Sequence, residues 1–281
     1  MSNIKQRWSA RPAQDGAGVK MWRIHDFSGG FDPFLMLDEL KADAEEDYIG
    51  GFPPHPHRGF ETLTYILHGG LTHQDSLGHR GEVRAGDAQW MSAASGVIHS
   101  EMPLLDQQGL HAFQLWINLP AARKMDVPQY RDVRAEQMGR LSWDQGELIA
   151  IAGHWQTNQG GLDGALTQLG EGAALADLRF TAAGQLELEL PAQHVLWVYV
   201  YRGELAEGVS SGQLAQLHSD HGRIRLSADQ PCGLLLLVGA PLQEPIAHYG
   251  PFVMNTEQEI RQALADYQSG RLVSSASEIA E

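Results

Sequence analysis

The sequence predicts an all-β protein: two antiparallel β-barrel (jelly-roll) domains in tandem, followed by one short C-terminal helix. Three observations carry this. Short β-prone runs recur along the chain, punctuated by Gly69-Gly70, Gly78, Gly81, Gly86 and Gly96, which is the rhythm of a sandwich or barrel. Helical periodicity appears only near the C-terminus. At 281 residues the chain is long enough for two cores of ordinary size, and the β rhythm of its first half resumes in its second.

Residues 19–27 read as a first strand, with Val19, Met21 and Ile24 inward. Gly29-Gly30 breaks it. Residues 31–34 turn into the apolar strand 35–37, and the acidic stretch 38–48 is expected to be a solvated loop. Residues 62–67, 71–74, 88–91, 97–102 and 111–119 are further strands. Prolines 120 and 128 and a mixed-charge stretch mark 120–143 as a connection. The expected domains are therefore 1–137 and 138–281. Strands resume at 148–152, 176–180, 186–190, 194–201, 222–226 and 234–238, and Leu186-Glu-Leu-Glu-Leu190 alternates as a half-buried strand should. Thr256-Glu-Gln-Glu259 is a capping box. Ile260, Ala263, Leu264 and Tyr267 then fall at helical spacing before Gly270. The tail 273–281 is expected to be loose.

Composition narrows the function classes. Thirty-five acidic side chains against 20 basic give a formal charge of −15, which opposes direct contact with nucleic acid or an anionic membrane. No apolar run has the length of a membrane span, and no signal-peptide core follows the N-terminus. The single Cys232 precedes an apolar run and reads as a buried, inert thiol. A cytoplasmic monomer is the expectation.

Two segments carry the chemistry: His55-Pro-His57-Arg-Gly-Phe-Glu61 and Ser95-Gly-Val-Ile-His99-Ser-Glu101. Residues i and i+2 of an extended strand lie on one face, about 7 Å apart, so His55 with His57, and His99 with Glu101, can each aim two ligands at one point. Three imidazoles and a carboxylate suit Fe, Mn, Co, Ni, Cu or Zn rather than Mg or Ca, and a closed structural zinc site would usually include cysteine. Four protein ligands leave an octahedral ion two free positions. The expected cofactor is one divalent transition metal, Fe(II) first, with Mn, Co, Ni, Cu or Zn as alternatives. Pro54 and Pro56 stiffen the backbone around His55. Trp90, Met91, Phe52 and Phe60 are candidates for the wall of an aromatic pocket, with core packing as the plainer reading. His68, His73, His79 and His111 are expected to be surface or hydrogen-bonded histidines, and Arg58 a structural ion-pair partner facing away from the metal.

Around these segments stand Gly69-Gly70, Gly86-Asp87 and the turn Ala94-Ser95-Gly96, together resembling the two motifs of the cupin barrels, with Ala94 where that pattern usually has proline. Phe31 to Glu39, His55 to Thr62, Gly86 to Met91, Gly96 to Pro103 and Gly250 to Asn255 further resemble the signature segments of the pirin family. The resemblance implies cupin-type domains; His154, His194, His218, His221 and His248 form no His-x-His pair and no His-x-Glu after a glycine turn, so the second domain is expected to hold no metal. The resemblance implies a metal on His55, His57, His99 and Glu101, with Glu61 beside the site rather than on the ion. It also implies dioxygenase activity on flavonols such as quercetin, with dioxygen as co-substrate and carbon monoxide as a product; Glu101, as the carboxylate ligand within reach of the bound hydroxyl, is the expected catalytic base. The alternative the resemblance implies is a redox-sensitive regulatory protein acting through a protein partner.

Overall fold

The nine residues Phe34–Ala42 form a central strand of the sheet that carries the first motif region, and all of them except Lys41 are buried. In the computed structural model, which describes residues 4–104, 109–167 and 169–273, this strand pairs antiparallel with Leu110–Asn118 on one side and Val19–His25 on the other. The acidic stretch is thus not a solvated loop from its start. Asp38 and Glu39 lie inside the strand, because their partners come from its neighbours. Arg23 forks onto both oxygens of Asp38 at 2.7 Å, and His111 Nε2 meets Glu39 Oε1 at 2.8 Å.

The chain divides into two units, residues 12–135 with 242–281 and residues 1–11 with 136–241. In the first, a seven-stranded sheet runs Gln129–Val133, Ala88–Ser92, Phe60–His68, Leu110–Asn118, Phe34–Ala42, Val19–His25, Arg11–Asp15. A four-stranded sheet runs Phe52–His57, Val97–Leu104, Gly70–Asp75, Arg80–Arg84. Phe52, Leu71 and Val83 from the smaller sheet pack with Val19, Leu40, Ile66 and Ala112 from the larger. The two sheets enclose a core as a jelly roll does. Their hydrogen bonding does not join into the closed barrel the sequence suggested. The strand Gln129–Val133 falls in the stretch expected to be a connection; among the described residues it is an edge strand paired only with Ala88–Ser92, and its polar alternation hides it.

The second unit repeats the plan. Its seven-stranded sheet runs Ile4–Ser9, Gln213–Leu217, Val195–Arg202, Cys232–Gly239, Ala174–Phe180, Gly146–Ala152, Gly139–Trp143, and its four-stranded sheet Gly160–Asp163, His154–Thr157, Gly184–Glu189, Arg223–Ala228. Trp155, Leu186, Leu188, Ile224 and Leu226 of the small sheet join the core of the large one. The N-terminal strand Ile4–Ser9, which sequence reading missed, belongs here, paired with Gln213–Leu217. Cys232 is fully buried, and burial pushes its thiol up to about 11.

The C-terminal helix Glu257–Gln268 begins as its sequence requires. Thr256 accepts from the Glu259 amide while the Glu259 carboxylate takes the Thr256 amide. Ile260 and Ala263 pack with Phe252, Met254 and Leu272. This places the helix in the unit of residues 12–135. The tail expectation beyond Val273 lies outside the described residues. No helix among the described residues is long and apolar enough to cross a membrane.

Candidate metal centre

The strand Phe52–His57 tolerates three prolines because it is the edge of its sheet and pairs only with Val97–Leu104. In that register His99 lies directly opposite His55 and Val97 opposite His57, and a shift follows between His99 and Glu101. Alternation turns His55 and His57 to one side, where their Nε2 atoms stand 3.0 Å apart. Ring nitrogens of His55, His57 and His99 lie within 4.8 Å of one another, the one such convergence of three His, Cys, Asp or Glu groups among the described residues.

The protonation of this cluster follows from its surroundings. His55 Nδ1 lies 2.9 Å from the Pro53 carbonyl and so carries its proton there, leaving a lone pair on Nε2. His57 and His99 are 4% and 2% exposed. Burial, and then the neighbouring imidazoles, hold both far below the usual histidine range. The rings of His57 and His99 are therefore neutral. His99 Nδ1 is turned toward His73 Nδ1 at 3.4 Å, and His99 Nε2 is buried without a protein hydrogen-bond partner. A buried, partnerless imidazole nitrogen beside two inward-facing imidazoles is the environment a borderline transition metal requires. The donor set fits a divalent ion.

Glu101 is 2% exposed on the same strand as His99, but its carboxylate is not one of the converging groups. Gln114 Nε2 donates to both of its oxygens, at 3.1 and 2.9 Å, and Thr64 Oγ1 lies 3.4 Å from Oε1. Glu61, fully buried, sits one position out of phase with Thr62 and Thr64 on its strand and accepts from the Trp90 indole at 3.1 Å. It faces away from the ligand cluster.

Arg58 also turns away. It donates to the Ser95 carbonyl at 2.5 Å and pairs with Asp266 of the helix at 2.8 Å, tying both motif loops to the C-terminal segment. Gly59 adopts φ +91°, and a Cβ there would collide with the Val253 carbonyl. Ala94 adopts φ 38°, a conformation closed to the proline of the general pattern.

A cavity of about 470 Å³ opens on the cluster, with His55, His57, Gln114 and Trp116 in its wall. Trp116 meets His57 edge-on at 5.3 Å and stacks on Phe60 at 4.2 Å. Farther out, Phe27 stacks on His248 at 3.6 Å. Of the four aromatic and methionine candidates from sequence, Phe52 lines the cavity. Phe60 backs Trp116, while Trp90 and Met91 are core. Gln114, Trp116, His25, Phe27 and His248 were missed, since only the sheet order and the return of residues 242–273 bring them here. For Gln114, inward alternation within residues 111–119 was the one available signal.

The comparisons with known proteins agree with this fold. The Pirin profile matches residues 19–117 and the Pirin C-terminal cupin domain profile residues 175–273. A Vibrio cholerae protein named "Putative quercetin 2,3-dioxygenase" is 49% identical over 95% of this chain and 96% of its own, and human pirin 33% over 93% and 91%. The crystal structure of quercetin 2,3-dioxygenase from Acinetobacter baumannii superposes with a TM-score of 0.84 at 29% identity, covering 96% of this chain and 98% of that one. A bacterial pirin from Escherichia coli, solved with nickel(II), has TM-score 0.59 and 23% identity over 84% of this chain and 100% of its own, a likeness of fold. With both profiles matched and His55, His57 and His99 gathered at one point, this chain belongs to the pirin family of cupin proteins.

Proposed function

We propose that this protein is a metal-dependent dioxygenase that opens a flavonol such as quercetin with dioxygen and releases carbon monoxide. The observation that carries the reading is the cavity of about 470 Å³ that opens on His55 and His57 between Phe27, Phe52 and Trp116. Its size and its aromatic side chains suit a small flat aromatic molecule, and Arg23, His25 and Gln114 in the same lining offer polar contacts to its hydroxyls. The names of the Vibrio and Acinetobacter proteins support the same class.

In this reading His55, His57 and His99 hold one ion, Fe(II) first among the candidates, and Glu101 completes the set. When bound, the ion supplies Lewis acidity and a site for dioxygen chemistry. The chain's own residues do the rest. Burial keeps His57 and His99 neutral, so their lone pairs are free at neutral pH. The Glu101 carboxylate takes the proton of the flavonol 3-hydroxyl, and Gln114 holds that carboxylate in place. Trp116, backed by Phe60, gives the ring system a flat wall and keeps water from it.

The test is aerobic loss of quercetin absorbance with carbon monoxide detection, on protein of known metal content beside His57→Ala. Metal-dependent turnover with carbon monoxide, absent in the variant together with its metal, is the expected result. No turnover with Fe, Mn, Co, Ni or Cu would overturn the reading in favour of a metal-dependent binding protein.

A further inference from the structure

Behind the ligand His99 lies a line of polar groups that reaches the surface. His73, 3% exposed, faces His99 with Nδ1 at 3.4 Å and Asp75 Oδ2 with Nε2 at 3.3 Å. The same Asp75 oxygen lies 2.9 Å from His79 Nδ1, and the His79 side chain is 41% exposed. Tyr130 stacks across both imidazoles, at 4.5 Å on His73 and 5.1 Å on His79, and its hydroxyl is held by Asp132 at 2.6 Å.

With His73 neutral and His99 Nε2 turned to a metal, these contacts permit one set of protons. Asp75 is the accepting end: its Oδ1 takes the amides of Leu77 and His79, and its Oδ2 faces both His73 and His79. A carboxylate only accepts, so His73 carries its proton on Nε2 and presents a lone pair at Nδ1. That lone pair faces His99 Nδ1, which must therefore bear the proton. His99 Nε2, the atom without a protein partner, is left as the lone pair.

From this chain of contacts we infer that His73, backed by Asp75, is the positioning residue of the metal ligand His99. It fixes the tautomer that aims Nε2 into the site, and it passes part of the Asp75 charge to the ligand ring. The inference rests on the metal reading above. Such outer partners of a ligand histidine orient the ring and raise its basicity, and losing one typically costs about 10- to 100-fold in metal affinity.

The test is titration of metal-stripped full-length protein with Co(II) alone, followed by chelator competition and by the visible absorption of the bound ion. Three variants are compared with wild type. His73→Phe keeps a ring under Tyr130 and removes the acceptor. His73→Gln can restore a carbonyl toward His99 and an amide toward Asp75. Asp75→Asn keeps Oδ1, which accepts from the amides of Leu77 and His79, and sets a donor against the His73 proton. Thermal unfolding reports whether each is folded, and Asp75→Asn carries the comparison if His73→Phe does not fold.

Co(II) affinity falls about 10- to 100-fold in His73→Phe and Asp75→Asn, with altered cobalt spectra, and His73→Gln recovers part of the loss. Wild-type protein that binds Co(II) beside variants of equal affinity and unchanged spectrum overturns the positioning role alone. Wild-type protein that binds no Co(II) overturns the metal reading and this role with it.

Discussion

The side-chain amide of Gln114 donates to both oxygens of the Glu101 carboxylate, at 3.1 and 2.9 Å. The two residues sit on different sheets, Glu101 on the small one and Gln114 on the large, so their contact sets the position of the carboxylate across the core. Glu101→Gln would place an amide donor against the Gln114 donor and remove the proposed base. Quercetin turnover should then fall by about 100-fold or more, while His55, His57 and His99 retain part of the metal. Gln114→Leu leaves the base and removes its support, so a smaller loss of about tenfold is expected at unchanged metal content. Turnover and metal content measured on the same preparations check both, and unchanged turnover in Glu101→Gln removes Glu101 from the reaction.

The convergence of His55 and His57 was legible because the relation that unites the first motif is local: i and i+2 on a strand share a face whatever the rest of the chain does. The same spacing did not bring the Glu101 carboxylate to the point where His99 converges, because the register shifts between them. The cavity wall was not legible, since Phe27 and His248 meet across 221 positions of sequence and nothing in either neighbourhood announces the other. The same limit misplaced Asp38 and Glu39. Two carboxylates in an acidic stretch read as solvated, and only the pairing of the strands supplies Arg23 and His111. Ile4–Ser9 and Gln129–Val133 lie at sheet edges with polar alternation, so they lack the apolar run that marked Cys232–Gly239. The helix start was fully legible, because a capping box closes within four residues.

Arg58 and Asp266 tie the first motif loop to the C-terminal helix, with side chains only 5% and 16% exposed. Burial acts to raise the Asp266 carboxyl, but hydrogen bonds from Arg58 and Gln262 outweigh it and hold the group below its ordinary 3.8. A carboxyl depressed in the folded state adds stability at pH values above its unfolded pKa and loses it as the pH falls through the folded one. The unfolding midpoint of wild type should therefore exceed that of Asp266→Asn from about pH 5 upward. The gap should close below pH 3.8. Thermal scans of both proteins from pH 3 to pH 7 check it, and a gap independent of pH would mean the pair contributes only packing.

Lys124 is 1% exposed, and its Nζ donates to the Gly59 carbonyl at 2.6 Å, to Asn118 Oδ1 at 2.6 Å and to the Val253 carbonyl at 3.1 Å. It thereby fastens the turn that follows His57 to the C-terminal strand Phe252–Met254. Lys124→Met fits a side chain of similar length but leaves three buried acceptors without a donor, which should cost about 2–4 kcal/mol. A denaturant midpoint measures that loss, and a cost below about 1 kcal/mol would show that the acceptors find other partners. The two proteins should also differ in pH response. Burial lowers the Lys124 ammonium to about 7, against the pull of Glu244 and Glu259, so between there and its unfolded 10.5 the unfolded chain binds more protons than the folded one. Wild-type stability therefore rises across that window by up to about 1.4 kcal/mol per pH unit from this residue, and Lys124→Met lacks that contribution.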